Sequence, residues 1–169
     1  MRIGVDPGVS GAIAWFSDDG ALIEIEDLPT VAVKVGQSIR NRIVPALLAE
    51  TLRRPGRTPA SAYVEQVQPM PKNGSIAGFQ LGQAAGQIEG VLAALGVTIH
   101  LIPSKSWKRH WGAPAAKMTD AQRKEWARQR ALQLWPGLAA SMARKKDHGR
   151  AEAALIGSYG ISWFLGRAA

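Results

Sequence analysis

The chain has 169 residues, with 21 Lys and Arg against 13 Asp and Glu, a formal net charge of +8 and a pI near 10.3. That length holds one domain with a substantial core, read here as a single domain over residues 1–169, and the apolar content argues against disorder. The absence of cysteine excludes disulfides, thiolate metal sites and thiol nucleophiles, and the basic excess favours a polyanion, nucleic acid before an anionic membrane.

Three β-rich runs come first, at residues 2–6 (RIGVD), 12–16 (AIAWF) and 22–26 (LIEIE). GVSG links the first two and SDDG the second two, and Asp-Asp-Gly is a strong hairpin signal. Links this short make an antiparallel meander. Residues 38–54 carry Ile39, Ile43, Leu47, Leu48 and Leu52 at helical spacing, with Pro45 placed to end a turn or kink the helix. A turn-rich link precedes a fourth strand in SAYVEQVQ, residues 61–68. Residues 73–96 form a long helix that stops at Gly96. VTIHLIP is the fifth strand, followed by the short basic segment SKSWKRHWG. Residues 119–137 are a helix with Thr119 as N-cap, and residues 147–166 are the last helix, which Asp147 can cap. This order, β-β-β-α-β-α-β-α, implies an α/β fold with a five-stranded mixed sheet covered by helices. Residues 76–95 are the most apolar long segment, but Gln80, Gln83, Gln87 and Glu89 exclude a membrane span. With no signal-peptide pattern, the expectation is a cytoplasmic protein.

Asp6 ends the first strand, and Glu65 lies in the apolar run of the fourth. If those strands are neighbours, two carboxylates sit side by side, which is costly unless they are paired or bound to metal. Oxygen ligands without His or Cys suit Mg²⁺ or Mn²⁺. In KKDHGRAEAAL, His148 and Glu152 are four apart on one helix face, and Asp147 reaches the same region from the cap position. Either Asp147 or His148, with Glu152, completes an acidic cluster. Singly, each has a plainer reading: Asp6 bonding its turn, Glu65 facing solvent, Asp147 capping, Glu152 solvated beside Arg150. Their joint layout is what points to chemistry.

IGVDPGVSGAIAW, YVEQVQPMPKNGSIAGFQLGQAAGQIEGVLAAL and KKDHGRAEAALIG together resemble the RuvC-type Holliday-junction resolvases, in their phage and prophage branch, within the ribonuclease H-like superfamily. The resemblance runs from residue 2 to about residue 157. It implies a ribonuclease H-like fold and a homodimeric endonuclease that cuts four-way and other branched DNA in pairs, leaving 5′-phosphate and 3′-hydroxyl ends. It implies Asp6 and Glu65 as metal ligands, with Glu152 and, in preference to His148, Asp147 completing a site for two Mg²⁺ or Mn²⁺ ions. His148 is the alternative catalytic residue, positioning or deprotonating water. The cellular enzymes place the C-terminal pair three apart, and here that position is Gly149. The family's junction-contacting aromatic, three residues after the Glu, is here Gln68, so a wedge role either passes to Met70 or is absent.

Lys105, Lys108 and Arg109 beside Trp107 and Trp111, then Arg144, Lys145, Lys146 and Arg150, and Lys72 with Asn73, are the expected DNA-contacting residues. The two tryptophans read as packing anchors. Gly78, Gly82, Gly86 and Gly90 recur every four residues along the long helix. Each glycine costs a helix about 1 kcal/mol against alanine, so another backbone is expected close by, either the chain's own sheet or a twofold partner. Two rivals stand: an actin-like ATPase, which needs a second such domain, and a non-catalytic DNA-binding protein of the same fold. No Walker loop is present.

Overall fold

The computed structural model describes residues 1–68, 74–115 and 117–165. In chain order its elements are β1 (Arg2–Val5), β2 (Ala12–Phe16), β3 (Leu22–Asp27), β4 (Thr30–Val35), β5 (Ser38–Ile43), α1 (Pro45–Leu52), β6 (Ser61–Gln66), α2 (Ser75–Ala94), β7 (Thr98–Pro103), α3 (Ser104–His110), α4 (Asp120–Leu134) and α5 (His148–Leu165). Two 3₁₀ segments, Pro136–Met142 and Lys145–Asp147, join α4 to α5. The main sheet has five strands in the order β3-β2-β1-β6-β7. β1 pairs antiparallel with β2 and parallel with β6, and β6 runs parallel to β7. The five-stranded mixed sheet is as expected.

Alternation along the strands feeds two cores. Ile3, Val5, Ile13 and Trp15 point to one face, where they bury Leu48 and Leu52 of α1 and Ile88 and Leu92 of α2. Ala12, Ala14, Phe16 and Tyr63 point to the other, under Leu155 and Ile156 of α5 and Ala127 and Ala131 of α4. Each buried Leu or Ile contributes roughly 1.5–3 kcal/mol, and Leu92→Ala would lose about 2–5 kcal/mol. α5 lies directly on the sheet because Gly4 and Gly157 meet backbone to backbone; a Cβ on either would collide with the other.

The helix expected over residues 38–54 is two elements. β4 and β5 form a two-stranded hairpin of their own, and α1 begins only at Pro45. Proline at the first helical position loses no hydrogen bond. It also holds the preceding residue extended, as Val44 is at φ −105°, ψ 98°. Val31, Val33 and Val35, alternating with Ala32 and Lys34, supply the pairing strand. The basic segment after β7 is the helix α3. Thr119 caps α4 as expected, and the structure adds a reciprocal box with Gln122. Among the described residues no helix is long and apolar enough to cross a membrane.

Candidate active site

Val5 stands level with Val64 in the parallel β1–β6 pair. Asp6, the first residue past β1, and Glu65, still paired with Ile102 of β7, therefore stand side by side at the C-terminal ends of the two strands. Asp6 is fixed by the turn behind it: its N–H donates to Ala12 O at 3.1 Å, and Gly11 N–H donates to Gly8 O at 2.8 Å. The third acid arrives from α5, which crosses β1 and β2 and carries Glu152 in its second turn. All three are half-buried, and an oxygen from each lies within 4.8 Å of the others.

Such crowding is electrostatically unfavourable. Burial raises the Asp6 carboxyl well above the usual carboxylate range, and the charges of Glu152 and Glu65 raise it further. The Gly8 N–H and Lys108 act in the opposite sense. Glu152 is pushed from 4.5 to about 7, first by burial and then by Glu65, with Lys108 and Lys124 partly offsetting. One ammonium does not neutralise three converging carboxylates. The donor set, three anionic oxygens with no nitrogen or sulfur, fits a hard divalent cation such as Mg²⁺ or Mn²⁺.

β7 delivers two further side chains to this end of the sheet through α3. The Trp107 indole N–H donates to Glu65 Oε1 at 3.0 Å, and Lys108 Nζ lies 3.7 Å from the same oxygen. Lys108 also donates to Ser104 Oγ at 2.6 Å. Trp107 is fully buried, the packing anchor expected, yet its one polar atom orients Glu65. An open cleft of about 470 Å³ runs from Asp6 and Glu65 past Leu81 to Lys105 and Lys108.

The other expected site residues are not gathered here. Asp147 is buried under an exposed Arg144, which donates to its carboxylate from Nε and Nη2 and from the backbone N–H at 2.9 Å. The Arg144 guanidinium holds Asp147 below the usual carboxylate range. Asp147 thus closes the 3₁₀ turn before α5, as a cap at that turn, and stands outside the three-carboxylate group. His148 is half-buried beside Lys124, Lys145 and Lys146; burial, then Lys124, lowers its pKa. Gly149 packs beside Asp6. A Cβ there would run into the Ser10 carbonyl and lie 3.1 Å from Asp6 Oδ2, so the first turn of α5 packs against the β1–β2 turn only with glycine.

Of the expected DNA contacts, Lys105 and Lys108 line the cleft and Arg109 is exposed on α3. Lys145 and Lys146 are exposed in the 3₁₀ turn just before α5. Arg150 instead faces inward: its Nε and Nη2 each meet the Asp27 carboxylate at 2.7 Å, and Nη1 donates to Ser141 O. Lys72, Asn73 and Met70 lie outside the described residues, and Gln68 is exposed. On α2, a Cβ added at Gly78, Gly82, Gly86 or Gly90 meets nothing within 4 Å. The chain's own sheet is therefore not what these glycines accommodate. Sequence reasoning missed the Trp107–Glu65 bond and the closeness of Lys108. The available signal was that β7, parallel to β6, must release the residues after it at the same sheet end.

No family model matches the chain. It is 34% identical over 128 residues to the chloroplastic Holliday junction resolvase MOC1 of Chlamydomonas reinhardtii, a match covering 74% of this chain and 14% of that much longer protein. Among solved structures, Thermus thermophilus RuvC in complex with a Holliday junction substrate superposes with a TM-score of 0.61 at 19% identity, over 98% of this chain and 96% of that one. A second Thermus thermophilus RuvC structure gives 0.57 at 17%, over 98% and 96%. The fold is that of RuvC, a ribonuclease H-like fold.

Proposed function

We propose that this chain is a RuvC-like, metal-dependent endonuclease that resolves four-way and related branched DNA by paired phosphodiester hydrolysis. The observation that carries the reading is the convergence of Asp6, Glu65 and Glu152 at one sheet end. The similarity to a junction resolvase over most of the chain and the +8 charge support it.

Asp6, Glu65 and Glu152 are the residues that would hold the metal. Bound Mg²⁺ or Mn²⁺, two ions per site in this proposal, would supply Lewis acidity at the scissile phosphate and an acidified water. Trp107 holds Glu65 in one orientation through its indole N–H. Lys108 places a cation at the cleft wall, where it offsets negative charge on an incoming phosphate. Lys105, Arg109, Lys145 and Lys146 grip the backbone on either side, and Lys72 and Asn73 extend that grip. Asp147 acts indirectly, fixing the start of α5 through Arg144, while Arg150 ties the same turn to β3 through Asp27. His148, neutral at pH 7 because burial lowers its pKa, borders the Lys145–Lys146 side and assists there. The products carry 5′-phosphate and 3′-hydroxyl ends.

The open glycine face of α2 is proposed as the seam of a homodimer, which sets two sites against the two symmetric strands of a junction. Gly78, Gly82 and Gly86 line a groove with Leu101 and Leu81, and Leu101 is 46% exposed. A cytoplasmic location in a phage or prophage setting stays part of the proposal, beside a relative that is chloroplastic. The test is cleavage of a synthetic four-way junction in Mg²⁺ or Mn²⁺ against a linear duplex of the same sequence. Junction cutting with little duplex cutting is expected. Tight junction binding without cutting would instead favour a non-catalytic binder, and equal cutting of both substrates would remove the junction preference.

A further inference from the structure

The β4–β5 hairpin belongs to no other sheet, and most of its residues are exposed on both faces. An isolated two-stranded ribbon is marginal in water, and this one also exposes Val31, Val35 and Ile39, the last at 76%. Every charge between residues 28 and 49 is positive: Lys34, Arg40 and Arg42. Among the described residues none of the three has an ion-pair or hydrogen-bond partner. Arg54, Arg57, Arg128, Arg144 and Arg150, by contrast, are each paired to a carboxylate.

The register sets the arginines in a row. Arg42 stands opposite Val31 and Arg40 opposite Val33, so both point from one face of the ribbon. Two residues apart on a strand, they are spaced about 7 Å, a step that reaches neighbouring phosphates of one DNA strand. The root of the ribbon adjoins the active site. Leu28 N–H donates to Gly11 O at 3.1 Å, within the turn that fixes Asp6, and Val44 N–H donates to Pro29 O at 2.9 Å. Asn41 and Arg42 share a cleft with Val9 of that same turn and with Gln80, Gln83 and Gln87 of α2.

We propose that the β4–β5 ribbon is a DNA-gripping arm, whose Arg40 and Arg42 hold the phosphates of a duplex arm as it enters the cleft of Asp6, Glu65 and Glu152. This inference rests on the reading of the chain as a branched-DNA nuclease and adds to it a contact surface. Unpaired positive charge without any acid selects a polyanion over a second copy of this basic chain. A duplex groove also admits a two-stranded ribbon.

The experiment is a salt titration of binding to a labelled four-way junction in EDTA, using R40A/R42A and R40K/R42K in the full chain. The alanine pair is expected to bind more weakly, with a log K against log salt slope shallower by about 2 per engaged ribbon. The lysine pair should return close to wild type, because the charge is restored. Mn²⁺ binding measured by calorimetry should match wild type in both variants, because neither arginine belongs to the three-carboxylate group. Unchanged affinity and slope in the alanine pair, with wild type binding normally, overturns the ribbon assignment alone. A wild-type protein that binds no junction overturns the parent reading and the arm together. A change of oligomeric state in the alanine pair without DNA, seen by sedimentation, overturns it in favour of a protein interface.

Discussion

Replacing Glu152 by Gln removes a charge that the metal-free fold holds against its neighbours. Glu152 sits at about 7 against an ordinary 4.5, through burial and the charge of Glu65. A carboxyl with a raised folded pKa binds more protons folded than unfolded, so stability falls as pH climbs from 4.5 through 7 and stays lost above. The penalty at pH 8 is about 3 kcal/mol, from roughly 1.4 kcal/mol per pH unit, and at pH 5 it is under about 1 kcal/mol. For a chain of this size, each kcal/mol moves the melting temperature by roughly 2–4 °C. In EDTA at pH 8, Glu152→Gln should therefore melt higher than wild type by roughly 6–12 °C, and at pH 5 most of that gain should be gone. Adding millimolar Mg²⁺ or Mn²⁺ should raise the wild-type melting temperature and leave the variant nearly unmoved. Calorimetric scans at both pH values, with and without metal, decide. Equal melting of the two proteins at pH 8, or a gain of the same size at pH 5, would refute the claim that burial and the charge of Glu65 together destabilise an ionised Glu152.

Trp107→Phe deletes the N–H that meets Glu65 and leaves part of the buried indole's space unfilled; about 2–4 kcal/mol of stability and several-fold in Mn²⁺ affinity should be lost, read by denaturation and calorimetry. Gly149→Ala forces a Cβ into the Ser10 carbonyl, so a loss of about 1–3 kcal/mol with weakened metal binding is expected, and a neutral result would show that the turn yields. A double-mutant cycle on Arg150 and Asp27 should give a coupling of only about 0.5–1 kcal/mol, because Asp27 is 64% exposed. Gly82→Leu or Gly86→Leu should shift the protein toward monomer by sedimentation while leaving the fold intact, since both positions open to solvent; an unchanged dimer would move the seam elsewhere.

Much of the sheet is legible because turn signals and two-residue periodicity fall where the strands do. The pairing of β1 with β6 stays a condition in the residues themselves, because chain order does not choose a strand's neighbours, and it is what sets Asp6 beside Glu65. Glu152 is legible only through its place four residues after His148 on one helix face and through the resemblance, since an acid on a helix packed against a sheet more often faces solvent. The ribbon is hidden because Ile39, Ile43, Leu47, Leu48 and Leu52 keep a helical spacing straight across Pro45; only the proline's preference for a first helical position breaks the tie. Asp147 is hidden because an Asp ahead of a helix suits a cap and a ligand equally, and the choice is made by Arg144 three residues earlier. Arg150 meets a partner 123 residues away, which no local pattern announces. The glycine face is legible as a face, but what it leaves open appears only once α2 is seated through Ala84, Ala85, Ile88 and Leu92.

The central claim is that Asp6, Glu65 and Glu152 form one metal-dependent centre acting on branched DNA. Its most direct test is single-turnover cleavage of a four-way junction in Mg²⁺ by wild type, Asp6→Asn and Glu65→Gln, with junction affinity measured alongside. Paired nicks from wild type, at least about a thousandfold loss of cutting in either variant, and near-equal binding by all three are expected. Full cutting by either variant, or cutting by wild type that persists in EDTA, would contradict that claim.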